Sequence, residues 1–372
     1  MGQQFKLRAN IRFFDSLSEY FAASELGADD AILISGSVQR SFSDQIPDTC
    51  PVLVTSQYHK GEPTVDQADA IRADLPGHCR RIIAIGGGTV LDLAKMLIMK
   101  TPSGTTEELF LAPEQAECER ALVAIPATCG TGSEITGTTV SELPRLHTKR
   151  GVTMDALVPA ETILIPELLK ELPYSVFATS SVDALIHAAE SFMSPNATPH
   201  STLFSREAIR LILRGYRCVL RRGPKHWADC AREFLLASDY AGIAFSSAGC
   251  AAVHALSYPL GGEYHIPHGE ANSLVFAAVF HKYKEKEPGG RLAGLEMLLS
   301  DCLNVPETEA LDALFAMVDE ILPRKPLRDY GIPHGQLALF AESVLKNQTR
   351  LLKNNYVPLS REDMLAIYES VY

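Results

Sequence analysis

The chain has 372 residues, of which 46% are hydrophobic and 21% charged, with a formal net charge of −11; this profile suits a soluble globular protein with more than one domain. Such an acidic chain lacks the clustered Lys and Arg that nucleic acid or an anionic membrane surface needs, so neither is expected as a partner. The eight cysteines, Cys50, Cys79, Cys118, Cys129, Cys218, Cys230, Cys250 and Cys302, form no C-x-x-C pair, and the start "MGQQFKLRANIRFFD" has no signal-peptide core. With no apolar run near the ~20 residues of a membrane span, reduced thiols in a cytoplasm are expected.

The first half alternates short β-rich runs with helical patterns: "AILIS" (31–35), "PVLVTS" (51–56), "RIIAIGGG" (81–88), "LVAIPAT" (122–128) and "TILIP" (162–166). Strands separated by helices predict a parallel sheet with crossover helices. After Pro173 the β-branched runs stop, and "SSVDALIHAAESFM", "SREAIRLILRGYRCVL" and "ADCAREFLLASDYAGIAF" carry apolar residues at helical spacing. The expected organisation is an α/β dinucleotide-binding domain over residues 1–170 and an all-α metal- and substrate-binding domain over residues 171–372.

In "RIIAIGGGTVLDLAK" a strand runs into Gly86, Gly87 and Gly88 and then a helix. Missing side chains and a helix N-terminus together suit a pyrophosphate. A purely structural turn reads the same way, and the run is not G-x-G-x-x-G. A second turn, "AIPATCGTGSEITGTTV", leaves the next strand with Thr128, Thr131 and Ser133 as hydroxyl donors and Gly130 and Gly132 for close backbone approach. Two such loops on neighbouring strands point to a dinucleotide. Asp92, in the first turns of the following helix, reads as a cofactor contact or a partner of the helix dipole.

In "SSVDALIHAAESF" Asp183 and His187 are four residues apart, on one face of a helix. Alone, the pair reads equally as an intrahelical hydrogen bond. "HALSYPLGGEYHIPHGEAN" adds His254 and His268, separated by a Pro/Gly-containing stretch expected to turn one back beside the other. One carboxylate and three imidazoles make a mixed N/O set suited to Fe(II), Zn(II) or Mn(II), with room for a substrate oxygen.

"GGGTVLDLAK", "PATCGTGSE", "DALIHAAE" and "HALSYPLGGEYHIPHGEAN", in this order, resemble the iron-containing (group III) alcohol dehydrogenases. The likeness extends to "HKGEPT" and to "NNYVPLSREDMLAIYESVY", and so covers nearly the whole chain. It implies the dehydroquinate synthase-like fold of that family, metal ligation by Asp183, His187, His254 and His268, and dinucleotide binding by Gly86, Gly87, Gly88, Thr89, Asp92 and the loop from Thr128 to Ser133. Lys149 is similar to the family's basic residue near the nicotinamide ribose, and a homodimer or larger homo-oligomer is implied. The turn "SGSVQ" has no acid at Gly36, so the resemblance alone selects NAD over NADP.

Within the family, "ELPRLHTKRG", "DYAGIAFSSAG", "RKPLRDYG" and "RLLKNNYVPLSRED" resemble the bacterial branch acting on 4-hydroxybutyrate. The implied reaction is reversible hydride transfer between a primary alcohol and the nicotinamide, with 4-hydroxybutyrate and succinate semialdehyde as the pair. A substrate carboxylate calls for a cationic or donor group, and Arg145, His147, Lys149, Arg150 and Tyr258 are the candidates. Many relatives place a histidine four residues after the first ligand of the histidine-rich loop, where this chain has Tyr258. The proton route is therefore open between Tyr258 and His265, and His265 reads equally as a support of the ligands or a surface histidine. Another primary alcohol, a diol or an aldehyde would use the same core. Outside the family, a dehydroquinate synthase-like lyase or a non-catalytic NAD- and metal-binding protein are the competing readings.

Overall fold

The apolar runs of the first half become parallel strands of one sheet in the computed structural model, which describes residues 4–59, 61–101, 103–146 and 148–372. Two compact units form, Leu7–Leu172 and Pro173–Tyr372, the second joined by residues 4–6. Phe5 belongs there because its ring stacks on His200 and Phe204, with centroids 5.3 and 6.0 Å away.

The first unit runs β1 (Asn10–Phe13), α1 (Leu17–Ala22), β2 (Asp30–Ile34), α2 (Gly36–Ser41), β3 (Val52–Val54), α3 (Val65–Asp74), β4 (Arg81–Gly86), α4 (Gly88–Leu97), α5 (Glu108–Leu111), β5 (Ala121–Pro126), β6 (Thr138–Leu143), β7 (Thr148–Thr153) and β8 (Glu161–Leu164). Its main sheet has the order β1-β8-β5-β4-β2-β3, all neighbours parallel. The inner strands are apolar without alternation because both faces are covered. Ala31, Leu33, Ile82, Ala84, Leu122 and Ala124 pack with α3 and α4 on one face. Their neighbours Ile32, Ile34, Ile83, Ile85, Val123 and Ile125 pack with Leu17 and Tyr20 of α1 on the other, as a period of two requires.

Two features depart from the sequence expectation. β1 is an exposed edge strand with no apolar run to announce it, and it exists through its pairing with β8. The charged segment around Lys149 and Arg150, which carries no β-rich run, is strand β7, paired antiparallel with β6. His147, a candidate carboxylate reader, lies outside the described residues.

The second unit is helical throughout its described residues: α6 (Tyr174–Met193), α7 (Pro199–Arg222), α8 (Ala231–Ala248), α9 (Ala252–Tyr264), α10 (His268–Lys286), α11 (Gly290–Leu303), α12 (Ala310–Ile321), α13 (Gln336–Asn347), α14 (Thr349–Leu352) and α15 (Arg361–Ser370). From Ser181 to Met193 every residue of α6 is buried, as befits a helix enclosed by α7, α8 and α10. The stretch "PLGG" does not turn the chain, since Pro259, Gly261 and Gly262 lie within α9. The reversal falls instead on residues 265–267, with His265 at φ 54° ending α9 and Pro267 preceding α10. No single described helix is long and apolar enough to cross a membrane.

α7 starts where it does because the Thr198 hydroxyl accepts from the Ser201 N–H while Ser201 Oγ accepts from the Thr198 N–H, with Pro199 at the first helical position. Thr198→Ala is expected to cost about 1 kcal/mol of stability, read as a lower urea midpoint with an unchanged slope.

Candidate metal centre

Asp183, His187 and Glu190 recur at helical spacing along the buried stretch of α6, so all three side chains leave one face of the helix. His187 Nδ1 lies 3.9 Å from Asp183 Oδ2. The His187 ring is held between two others, stacked on Phe245 at 4.3 Å and on His254 at 4.5 Å.

His254 sits in the first turn of α9, and Glu190 puts it there. The Glu190 carboxylate accepts from Ala251 N at 2.9 Å and Val253 N at 2.6 Å, satisfying N–H groups at the start of α9 and placing negative charge at its positive end. The same carboxylate takes His254 Nδ1 at 2.6 Å. With Nδ1 so engaged, Nε2 is left for the cluster, 3.7 Å from Asp183 Oδ1.

His268 opens α10, its Nε2 3.7 Å from the same Asp183 oxygen. Gly269 permits this approach, because a Cβ there would stand 2.2 Å from the Thr179 carbonyl oxygen of α6. Asn272, one turn on and fully buried, donates from Nδ2 to Asp183 Oδ1 at 2.8 Å and lies 3.3 Å from His268 Nε2. Tyr330 in turn donates to Glu270 at 2.6 Å, bracing the first turn of α10.

The electrostatics favour a cation. Burial pushes the Asp183 carboxyl up, but His187, His268 and His254 together hold it well below the usual range. Burial likewise opposes a charge on His254, yet Glu190 and Asp183 raise its pKa to about 9. Asp183 and Glu190 are two carboxylates buried in a helical core, and desolvation makes such charge costly unless opposite charge is nearby. A divalent cation offsets both. The geometry agrees: His254 Nε2 and Asn272 Oδ1 are buried without a hydrogen-bond partner, and the ligand atoms of Asp183, His254 and His268 lie within 4.8 Å of one another. The residues fit a metal.

The other candidates are distributed as follows. Tyr258 is half-buried on α9, one turn after His254. His265 is exposed, and its backbone caps α9 in the left-handed region.

In the α/β unit the two glycine turns touch: a Cβ on Gly87 would meet Thr128 at 3.0 Å and one on Gly88 would meet Thr131 at 2.8 Å. Gly86 serves a different end, since a Cβ there would strike Val90 of α4 at 2.5 Å. Gly87 precedes α4 without a side-chain cap bond, and Gly87, Gly88, Thr89, Thr128 and Thr131 are half-buried, an open cradle at a helix N-terminus. Asp92 and Ser133 face inward instead, Ser133 Oγ donating to Asp92 Oδ1 at 2.6 Å and Val140 N to Asp92 Oδ2 at 3.1 Å. Lys149 pairs with Glu62, and Arg145 with Glu107 at 3.9 Å.

Sequence reasoning missed Glu190, Asn272 and Lys95. Glu190 carried a usable signal, an acid two turns after Asp183 on an apolar helix face. Lys95 is fully buried and donates to Ser133 Oγ at 2.8 Å and the Thr138 carbonyl at 2.6 Å, tying α4 to the second glycine turn and to β6. Burial lowers its pKa to about 8 against the opposing pull of Asp92, and burial raises that of nearby Glu134 to about 7.

Residues 15–166 match the family described as iron-containing alcohol dehydrogenase, and residues 177–372 its C-terminal part. The chain is 42% identical over 368 residues to a 4-hydroxybutyrate dehydrogenase of Clostridium kluyveri, covering 99% of each. It is 34% identical to long-chain-alcohol dehydrogenase 1 of Geobacillus thermodenitrificans, over 89% of this chain and 81% of that one. Among solved structures, the sulfoacetaldehyde reductase of Bifidobacterium kashiwanohense, crystallised with NAD+, superposes with a TM-score of 0.86 at 22% identity, over 100% of this chain and 99% of that one.

Glu190→Gln is expected to keep the helical shape but weaken metal binding by about 10- to 100-fold, measured by competition with a chromophoric chelator. Gly269→Ala is expected to lower the thermal midpoint and the bound metal together, because the new Cβ pushes α10, and His268 with it, away from Asp183.

Proposed function

This chain belongs to the iron-containing alcohol dehydrogenase family, and we propose that it oxidises 4-hydroxybutyrate to succinate semialdehyde, reversibly, with NAD as hydride acceptor. The carbinol carbon gives a hydride to C4 of the nicotinamide, the hydroxyl gives up its proton, and the products are aldehyde, NADH and H+. The observation that carries this reading is the meeting of Asp183 with His187, His254 and His268, each with a ring nitrogen within 3.9 Å of its carboxylate, in a chain alike end to end to a 4-hydroxybutyrate dehydrogenase.

Fe(II), or Zn(II) or Mn(II) with the same donors, held by those four side chains supplies Lewis acidity towards a hydroxyl or carbonyl oxygen. The rest is the work of the chain's own groups. Glu190 presents His254 in one tautomer, Asn272 orients Asp183 and His268, and the stacked Phe245 holds the plane of the His187 ring. At the cradle of Gly87, Gly88, Thr89, Thr128 and Thr131, the N-terminus of α4 receives the dinucleotide pyrophosphate. Asp92, Ser133 and Lys95 hold that cradle's two turns in register. The eight free cysteines suit a reducing cytoplasm.

Tyr258 stands on α9 one turn after His254, a proposed metal ligand, and is half-buried there. We assign to Tyr258 the reading of the substrate's far carboxylate, and to exposed His265 the passage of the proton to solvent. A hydrogen bond to a charged group contributes about 1.5–3 kcal/mol, so Tyr258→Phe should raise KM for 4-hydroxybutyrate by about 10- to 100-fold and leave butan-1-ol unaffected. Equal effects on both substrates would remove Tyr258 from carboxylate recognition. For the activity itself, NADH formation with the metal-loaded protein should be faster on 4-hydroxybutyrate than on butan-1-ol, cease after chelation and return with Fe(II). A preference for butan-1-ol overturns the substrate assignment.

A further inference from the structure

A fifth side chain stands at the cluster. The ligand atoms of His187, Cys250 and His254 lie within 4.8 Å of one another, a second grouping that shares His254 with the one formed by Asp183, His254 and His268.

The place of Cys250 is built rather than incidental. It lies in the turn between α8 and α9, where Gly249, at φ 80°, ends α8 so close to Asn354 that a Cβ would meet the Asn354 amide at 2.3 Å. Asn354 Nδ2 donates to the Cys250 carbonyl at 2.8 Å, and Asn354 is itself held by Asn196 at 2.9 Å. On the other side, Glu190 binds the Ala251 and Val253 N–H groups. The peptide joining Cys250 to Ala251 is thus anchored at both its polar atoms, the carbonyl by Asn354 from the segment after α14 and the N–H by Glu190 of α6.

His254 is the donor the two groupings share. It is only 4% exposed, its Nδ1 is taken by Glu190, and its Nε2 has no hydrogen-bond partner. An imidazole nitrogen and a cysteine sulfur this close, with a further imidazole from His187, are the donor set of a thiophilic cation, whereas Asp183 and His268 complete a harder N/O set.

We propose that Cys250 is a sulfur ligand of this centre, forming with His187 and His254 an overlapping position that takes thiophilic divalent metals, Zn(II) foremost. The proposal rests on the metal reading of the cluster given above. As the metal–sulfur bond forms, the Sγ–H bond breaks and its proton goes to solvent; nothing is oxidised or reduced. The consequence is a choice of metal: the sulfur donor favours zinc, while Fe(II) and Mn(II) are served by Asp183 and the imidazoles.

The test uses the full-length protein freed of metal and titrated with Co(II) as the spectroscopic stand-in for zinc. The wild type should bind cobalt with an intense near-ultraviolet thiolate-to-cobalt band. Cys250→Ser and Cys250→Ala should bind cobalt without that band, and their zinc affinity should fall by about tenfold or more while Mn(II) affinity stays the same. Cobalt bound by the wild type without the band overturns the role of Cys250 and leaves the metal reading intact, as does a band that survives in Cys250→Ala. Failure of the wild type to bind cobalt overturns both. The wild-type spectrum decides the matter even if the variants fold poorly.

Discussion

The carboxylate of Glu190 is the interaction on which the candidate metal cluster depends. It reaches from the last turn of α6 to the start of α9, binding Ala251 N, Val253 N and His254 Nδ1 together. One charged group thereby satisfies the beginning of a buried helix, engages one ring nitrogen of His254 and sets where the other points. Buried without such partners, the acid would carry the full desolvation cost of an unpaired charge. With them, it becomes the bracket that holds two helices and a histidine in one relation.

The remaining candidate ligands follow from how closely helices can approach. α10 begins at His268 and lies near α6 only because Gly269 offers no side chain to the Thr179 carbonyl. Asn272 then links Asp183 and His268 through one amide. The α/β unit uses the same device at its own site, where two turns rich in glycine and threonine touch across Gly87 and Gly88. There the buried Lys95 and the Asp92–Ser133 pair replace the packing that absent side chains cannot provide.

Much of this was legible from the residues. The strands with buried faces, β2, β4, β5 and β8, are apolar enough to be read directly, and the D-x-x-x-H spacing puts two candidate ligands on one helix face whatever surrounds it. β1 was not legible, because an exposed edge strand has no apolar pattern and is defined by its partner. "PLGG" read as a turn because Pro and Gly are poor helix formers in isolation, and tertiary packing overrode that preference in α9. His265 gained its clearest role from its backbone, as a residue in the left-handed region that ends a helix.

By itself the sequence determined the chemistry on offer: an acid and three histidines with divalent-metal character, two turns stripped of side chains at strand ends, and a tyrosine where relatives often place a histidine. It determined the two structural classes as well, because residue periodicity distinguishes strands from helices locally. Only the tertiary structure decided which groups support the ligands and which additional atoms join them. Glu190 and Asn272 each act on a residue far along the chain, 64 residues away for Glu190 and His254 and 89 for Asn272 and Asp183. Spacing carries information over a few helical turns; contacts across such separations exist only once the helices have packed.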